Sequence, residues 1–204
     1  MTLHKKRCVV FFTEGETEDE FYGCLLNEIK ESYNVDRFNS DKIIKKCLKG
    51  ICRFDKKLIN KYEIEIKNKY KGYDIIVFLC YDTDYFEFSS KPSVDWTEIN
   101  DKLMLLGAKE VYHIRADKCI EDFLLYDVDG ICNYLKIKKP GRIKGKNGVK
   151  KLDYLFSLGN RVYQKGYPSK DFIKSLNITK IRKCIYKEIE PILDTLLSKQ
   201  ENNQ

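Results

Sequence analysis

Four carboxylates stand at places where a chain can bring acids together. Glu14 follows the apolar run Arg7 to Thr13, in Thr13-Glu14-Gly15-Glu16-Thr17-Glu18. Asp82 and Asp84 follow the run Ile75 to Tyr81, in Tyr81-Asp82-Thr83-Asp84, and Glu121 lies in Asp117-Lys118-Cys119-Ile120-Glu121-Asp122, beyond a third such run, Glu110 to Arg115. Carboxylate oxygens are the ligands that hard cations such as Mg²⁺ or Mn²⁺ take. One or two such ions can activate water and stabilise the leaving oxygen when a phosphodiester is cleaved. If the extended backbone continues past Tyr81, side chains two residues apart point the same way, so Asp82 and Asp84 can face one ion. Glu16, Asp19, Glu20 and Asp122 have a plainer use, as acids in the first turn of helices, where they complement the dipole. The chain has two histidines, His4 and His113. A His-activated nucleophile would rest on His113 alone, so the chemistry is expected to run on carboxylates.

The elements that must position these acids alternate in type. Arg7 to Thr13 reads as a short buried strand. From Thr17 to Tyr33, Phe21, Leu25, Ile29 and Tyr33 recur at helical spacing behind a capping box, Thr17-x-x-Glu20. A second strand is expected at Ile43 to Leu48, a charged helix at Asp55 to Tyr70, and a central buried strand at Tyr73 to Tyr81. A helix at Trp96 to Leu106, a strand at Glu110 to Arg115 and a helix at Cys119 to Tyr134 follow, the last broken at or near Gly130. This alternation predicts an α/β fold with a mostly parallel four-stranded sheet flanked by helices on both faces. In such sheets ligands bind outside the carboxyl ends of the strands, so three strand ends would deliver Glu14, the Asp82/Asp84 pair and Glu121 to one edge. Beyond Lys138-Lys139-Pro140-Gly141, helical segments are expected at Val149 to Leu158, Asp171 to Leu176 and Ile178 to Leu197, with a fraying tail at Gln200 to Gln204. The reading is a core over residues 1–135 and a basic loop with helices over 136–204, packed as one domain.

Composition bounds the remaining classes. At 204 residues and 43% hydrophobic, the chain is expected to form one globular domain and not a disordered one. Its longest apolar run, Ile75 to Tyr81, has seven residues, against the roughly 20 that span a bilayer. Lys5-Lys6-Arg7 before Cys8 to Phe12 mimics the start of a signal peptide, but Glu14 and the acids after it end the apolar stretch, so a cytoplasmic protein with no membrane partner is expected. Eight cysteines without a Cys-x-x-Cys pair, several of them (Cys8, Cys80, Cys119) inside apolar runs, read as buried thiols and not as a disulfide scaffold or a structural zinc site.

The net charge of +7 hides an asymmetry: residues 74–135 carry 13 acids and 5 bases, whereas residues 136–183 carry 15 bases and 2 acids. The basic block fits a polyanion, because each phosphate it neutralises releases counterions. Its aromatics, Tyr154, Phe156, Tyr163, Tyr167 and Phe172, are expected to pack its helices.

At these residues the chain resembles the Toprim domain, whose pattern is a hydrophobic strand ending in Glu-Gly and a later one ending in Asp-x-Asp. Val9 to Gly15 and Val77 to Asp84 supply the two parts. More narrowly it is similar to the standalone RloB-like Toprim proteins of bacterial genomes, often linked to restriction and anti-phage loci. That likeness rests on Glu14-Gly15-x-Thr17-Glu18, Cys119 to Leu125, Gly145-Lys146-Asn147-Gly148 and Tyr163-Gln164-Lys165-Gly166, and covers about residues 7–183. The resemblance implies a Toprim-like, Rossmann-like core and a nuclease site using one or two Mg²⁺ or Mn²⁺ ions on DNA or RNA. Glu14 would be a metal ligand or general acid/base, Asp82 and Asp84 metal ligands, Glu18 and Glu121 ligands of a second ion, and Lys146 and Lys165 stabilisers of phosphate charge. A defence effector working with a partner ATPase or regulatory protein fits this reading. The alternative is a non-catalytic Toprim module that binds nucleic acid or a nucleotide.

Overall fold

The computed structural model describes residues 6–33, 41–84, 94–166 and 170–197; the polar tail and Tyr167 lie outside them. Strands β1 (Arg7–Thr13), β2 (Lys42–Cys47), β3 (Asp74–Asp82) and β4 (Ala108–Ala116) form one sheet in the order β2-β1-β3-β4. Every neighbouring pair runs parallel. β1 and β3 are the inner strands and are buried almost throughout, which is why their sequences are continuous apolar runs without alternation. β2 is an edge strand, and its Lys42, Lys45 and Lys46 give that edge the charge that discourages further pairing.

Helices cover both faces. On one, Val9, Phe11, Ile76, Phe78 and Cys80 pack against α1 (Glu16–Tyr33) and the helices α4 (Ile120–Leu124), α5 (Val128–Leu135), α6 (Gly148–Leu158), α7 (Lys170–Lys174), α8 (Ile178–Cys184) and α9 (Tyr186–Leu197). Phe11 and Phe78, cross-strand partners, stack at 4.9 Å on this face. On the other face, Cys8, Val10, Phe12, Val77 and Leu79 meet Leu58, Tyr62 and Ile66 of the helix following Asp55, and Ile99 and Leu103 of α3 (Trp96–Leu105). The side of each residue follows from the period of two along a strand. Residues before and after Leu135 share the first core, since Leu152, Phe172, Ile181 and Ile189 join Phe21 and Leu25 in it. This is a doubly wound sheet compatible with a Rossmann-like fold, and among the described residues no helix is long and apolar enough to cross a membrane.

Three helical segments differ from expectation in how they continue or break. The helix after Asp55 is α-helical over Lys56–Lys61 (α2) and continues with the wider π pattern over Tyr62–Lys67. The Cys119 to Tyr134 segment breaks at Asp127, three residues before Gly130, which lies inside α5. Asp127 turns its carboxylate back to accept from the Asn177 N–H at 2.7 Å and to pair with Lys180, so a Cβ at Gly130 would stand 1.9 Å from it. The segment from Ile178 to Leu197 turns at Ile185, and in this way Ile181, Ile185, Ile189 and Ile192 are all buried.

Candidate active site

β1 and β3 lie side by side, yet the chain leaves β1 toward β2 on one side and returns to β3 on the other. The gap between their carboxyl ends is therefore the switch point of the sheet, where open α/β folds hold ligands. Glu14 emerges there from β1, its backbone N–H donating to Cys80 O at 3.2 Å, and Asp82 is the last residue of β3. The two are tied directly, the Asp82 N–H donating to the Glu14 carboxylate at 3.3 Å.

Asp82 is 2% exposed. Its Oδ1 accepts from the Ile120 N–H at 2.9 Å, which fastens β3 to the start of α4. Its Oδ2 is buried without a hydrogen-bond donor and faces the Lys165 ammonium at 3.5 Å. Asp84, on the turn beyond, meets the same ammonium at 3.3 Å, so both aspartates face Lys165. Thr83 holds this turn. Its hydroxyl donates to Ala116 O at 3.2 Å and accepts from the Lys118 N–H at 2.9 Å, while Lys118 O accepts from the backbone N–H groups of Thr83 and Asp84. Lys118 adopts φ 67° to make that approach.

Glu121 is fully buried on α4; Tyr163 donates to its Oε1 at 2.9 Å, and its Oε2 has no hydrogen-bond partner. Glu18, 5% exposed on α1, folds back over the β1–α1 turn, where a Cβ at Gly15 would lie 2.7 Å from its Oε2. A side chain at Gly15 would therefore displace the Glu18 carboxylate from the place it holds here. Glu14, Gly15, Glu18, Glu121, Lys165 and Lys49 line a cavity of about 210 Å³ at this edge.

The electrostatics follow from gathering acids in a dry place. Burial raises the Glu14 carboxyl above its ordinary range, against the opposing Asp82 hydrogen bond and Lys165 charge. Burial, then the charges of Glu14 and Glu121, push Glu18 up to about 7. Burial, then Glu18 and Glu14, hold Asp82 well above its usual value. For Lys165, burial opposes the charge, but Asp82, Glu121 and Asp84 outweigh it and raise its pKa.

Of the residues singled out in the sequence, Glu14, Glu18, Asp82, Asp84, Glu121 and Lys165 come together here. Lys146 does not: it is exposed in the loop before α6 and pairs with none of these carboxylates among the described residues. Its loop nevertheless abuts the site, because Gly148 packs so tightly on Asp122 that a Cβ would stand 2.8 Å from the Asp122 backbone nitrogen. His113 lies on the opposite face of the sheet, its ring nitrogens 3.0 Å from Tyr81 OH and 3.1 Å from Asn100 Oδ1. Thr83 and Tyr163 were not legible as site residues. Tyr163 reads as a packing aromatic and does pack, on Phe156 at 5.3 Å, but its hydroxyl also orients Glu121.

The donor set suits a hard cation. Asp82 and Glu121 present buried carboxylate oxygens that lack donors, and such oxygens are costly unless a cation serves them. Among the described residues, no three His, Cys, Asp or Glu groups are close enough together to hold a metal ion.

The basic block divides into paired and exposed side chains. Lys139 and Lys180 pair with Asp129, Lys170 with Glu20, and Arg182 with Glu28, so part of its charge balances acids of earlier elements. Lys138, Arg142, Lys144 and Lys146 are exposed, and none of them pairs with a carboxylate among the described residues.

No family model, curated protein or solved structure matches this chain.

Proposed function

We propose that the chain is a divalent-metal-dependent nuclease of Toprim type, cleaving phosphodiester bonds in DNA or RNA with Mg²⁺ or Mn²⁺. One observation carries the reading: at the switch point of the sheet, the buried oxygens Asp82 Oδ2 and Glu121 Oε2 lack donors and sit beside Glu14 and Glu18. Asp82, Glu14 and Glu121 would hold an ion, with Asp84 at the rim and Glu18 beside a second position. The ion would supply an activated water and neutralise phosphate charge. Glu14, with a raised pKa and a tie to the Asp82 backbone, is suited to exchange a proton with that water. The exposed Lys138, Arg142, Lys144 and Lys146 would receive the phosphate backbone.

The Lys165 ammonium among the acids favours a second reading, a binding module whose carboxylates are balanced internally. Incubation of purified protein with single- and double-stranded DNA and RNA in Mg²⁺ or Mn²⁺ separates the two. The nuclease reading expects cleavage that Asp82→Asn abolishes without lowering the melting temperature, and full activity in Asp82→Asn refutes it.

A further inference from the structure

The exposed basic loop, the aromatic cavity around Trp96 and the carboxylate site each invite a role, and the carboxylate site carries an inference furthest. An ammonium already stands where the aspartates converge. Lys165 Nζ is 3.3 Å from Asp84 Oδ2 and 3.5 Å from Asp82 Oδ2, yet it leaves the latter oxygen without a hydrogen bond. One positive charge thus serves at least four nearby carboxylates, those of Glu14, Asp82, Asp84 and Glu121, and satisfies them poorly. A divalent ion brings twice the charge and accepts six or more oxygens where an ammonium donates three hydrogen bonds.

The lysine is also mounted so that it can leave. Two residues before it, Tyr163 is anchored by its ring against Phe156 and Phe172 and by its hydroxyl on Glu121. The backbone is therefore held while the Lys165 side chain, 45% exposed, can swing to solvent along its flexible stem. We propose that Lys165 is the resident counter-ion of this site and that a divalent cation binds by displacing its ammonium. The inference rests on the metal-site reading above and adds the regulation of it: metal affinity is set by competition with a side chain of the same protein.

The test is Mn²⁺ binding by isothermal titration to the full chain, as wild type, Lys165→Met, Lys165→Arg and Asp82→Asn, with melting curves in EDTA and in Mn²⁺. Lys165→Met should bind Mn²⁺ up to about fivefold more tightly, the affinity equivalent of losing a competing half-exposed ion pair. Lys165→Arg should gain nothing, Asp82→Asn should bind weakly, and Lys165→Met should melt lower than wild type in EDTA and recover in Mn²⁺. Wild type binding Mn²⁺ as tightly as or more tightly than Lys165→Met overturns the competition and leaves the metal site standing. Folded wild type and Lys165→Met that both fail to bind Mn²⁺ overturn the metal reading, and the competition with it. Should Lys165→Met not fold, Lys165→Gln takes its place in the same comparison.

Discussion

Replacing Glu18 by Gln should stabilise the metal-free protein, and the gain should depend on pH in a way the site dictates. The carboxyl is raised from 4.5 to about 7 by burial and by the charges of Glu14 and Glu121. In the unfolded chain it ionises near 4.5, so between the two values the folded state holds the proton that the unfolded state has lost. Stability therefore falls as pH rises through this window, and above pH 7 the full penalty of a buried, repelled carboxylate is present. The rise corresponds to about 3 kcal/mol. Glutamine keeps the shape and removes the charge. Below pH 4.5 the variant and the wild type should melt together, and by pH 8 the variant should melt higher. At about 2–4 °C per kcal/mol for a domain of this size, the gap should reach roughly 6–12 °C. The assay is thermal melting followed by circular dichroism in EDTA from pH 4 to 8. A gap that is the same at both ends of the range, or a Gln variant that is less stable at pH 8, refutes the view that Glu18 is held ionised at a cost. The penalty is the expected signature of a functional site, where charge is gathered for a ligand and not for the fold.

Tyr163→Phe removes the donor to the buried Glu121 carboxylate and should lower stability by about 1–3 kcal/mol in urea denaturation, with the aromatic packing retained. Gly145 has φ 138°, and a Cβ there would stand 2.5 Å from the Lys151 backbone nitrogen; Gly145→Ala should therefore cost about 1–3 kcal/mol, read from the same transition. Replacing Lys138, Arg142, Lys144 and Lys146 together by Ala should reduce the slope of log affinity against log salt for duplex DNA by about 0.9 for each phosphate no longer neutralised. In fluorescence anisotropy titrations Asp82→Asn should leave that slope unchanged, and a slope unmoved by the quadruple variant would show that the loop does not face phosphate.

Much of the fold was legible because its signals are local. Ile75 to Tyr81 can be continuous apolar sequence only if both faces of the strand are covered, and an inner parallel strand satisfies that. The places of Glu14 and Asp82 at strand ends follow from where those runs stop. A break near Gly130 was legible, but its position at Asp127 was not, because it depends on Asn177 and Lys180, some 50 residues away, and Gly130 lies inside the helix beside the Asp127 carboxylate. Lys146 and Lys165 sit in similar basic surroundings in the sequence, and only the fold separates them, one exposed beside the site and the other among its acids.

By itself, the order of residues determined the alternation of strands and helices, the acids at three strand ends and the opposed charges of the middle and the basic block. Those depend on periodicity and composition, which act over a few residues at a time. The tertiary structure alone decided that β1 and β3 would be neighbours at a switch point, that Tyr163 would orient Glu121 across 42 residues of sequence, and that a lysine from the basic block would face Asp82. Electrostatic energy depends on distance in space and on burial, neither of which a linear chain carries until it has packed.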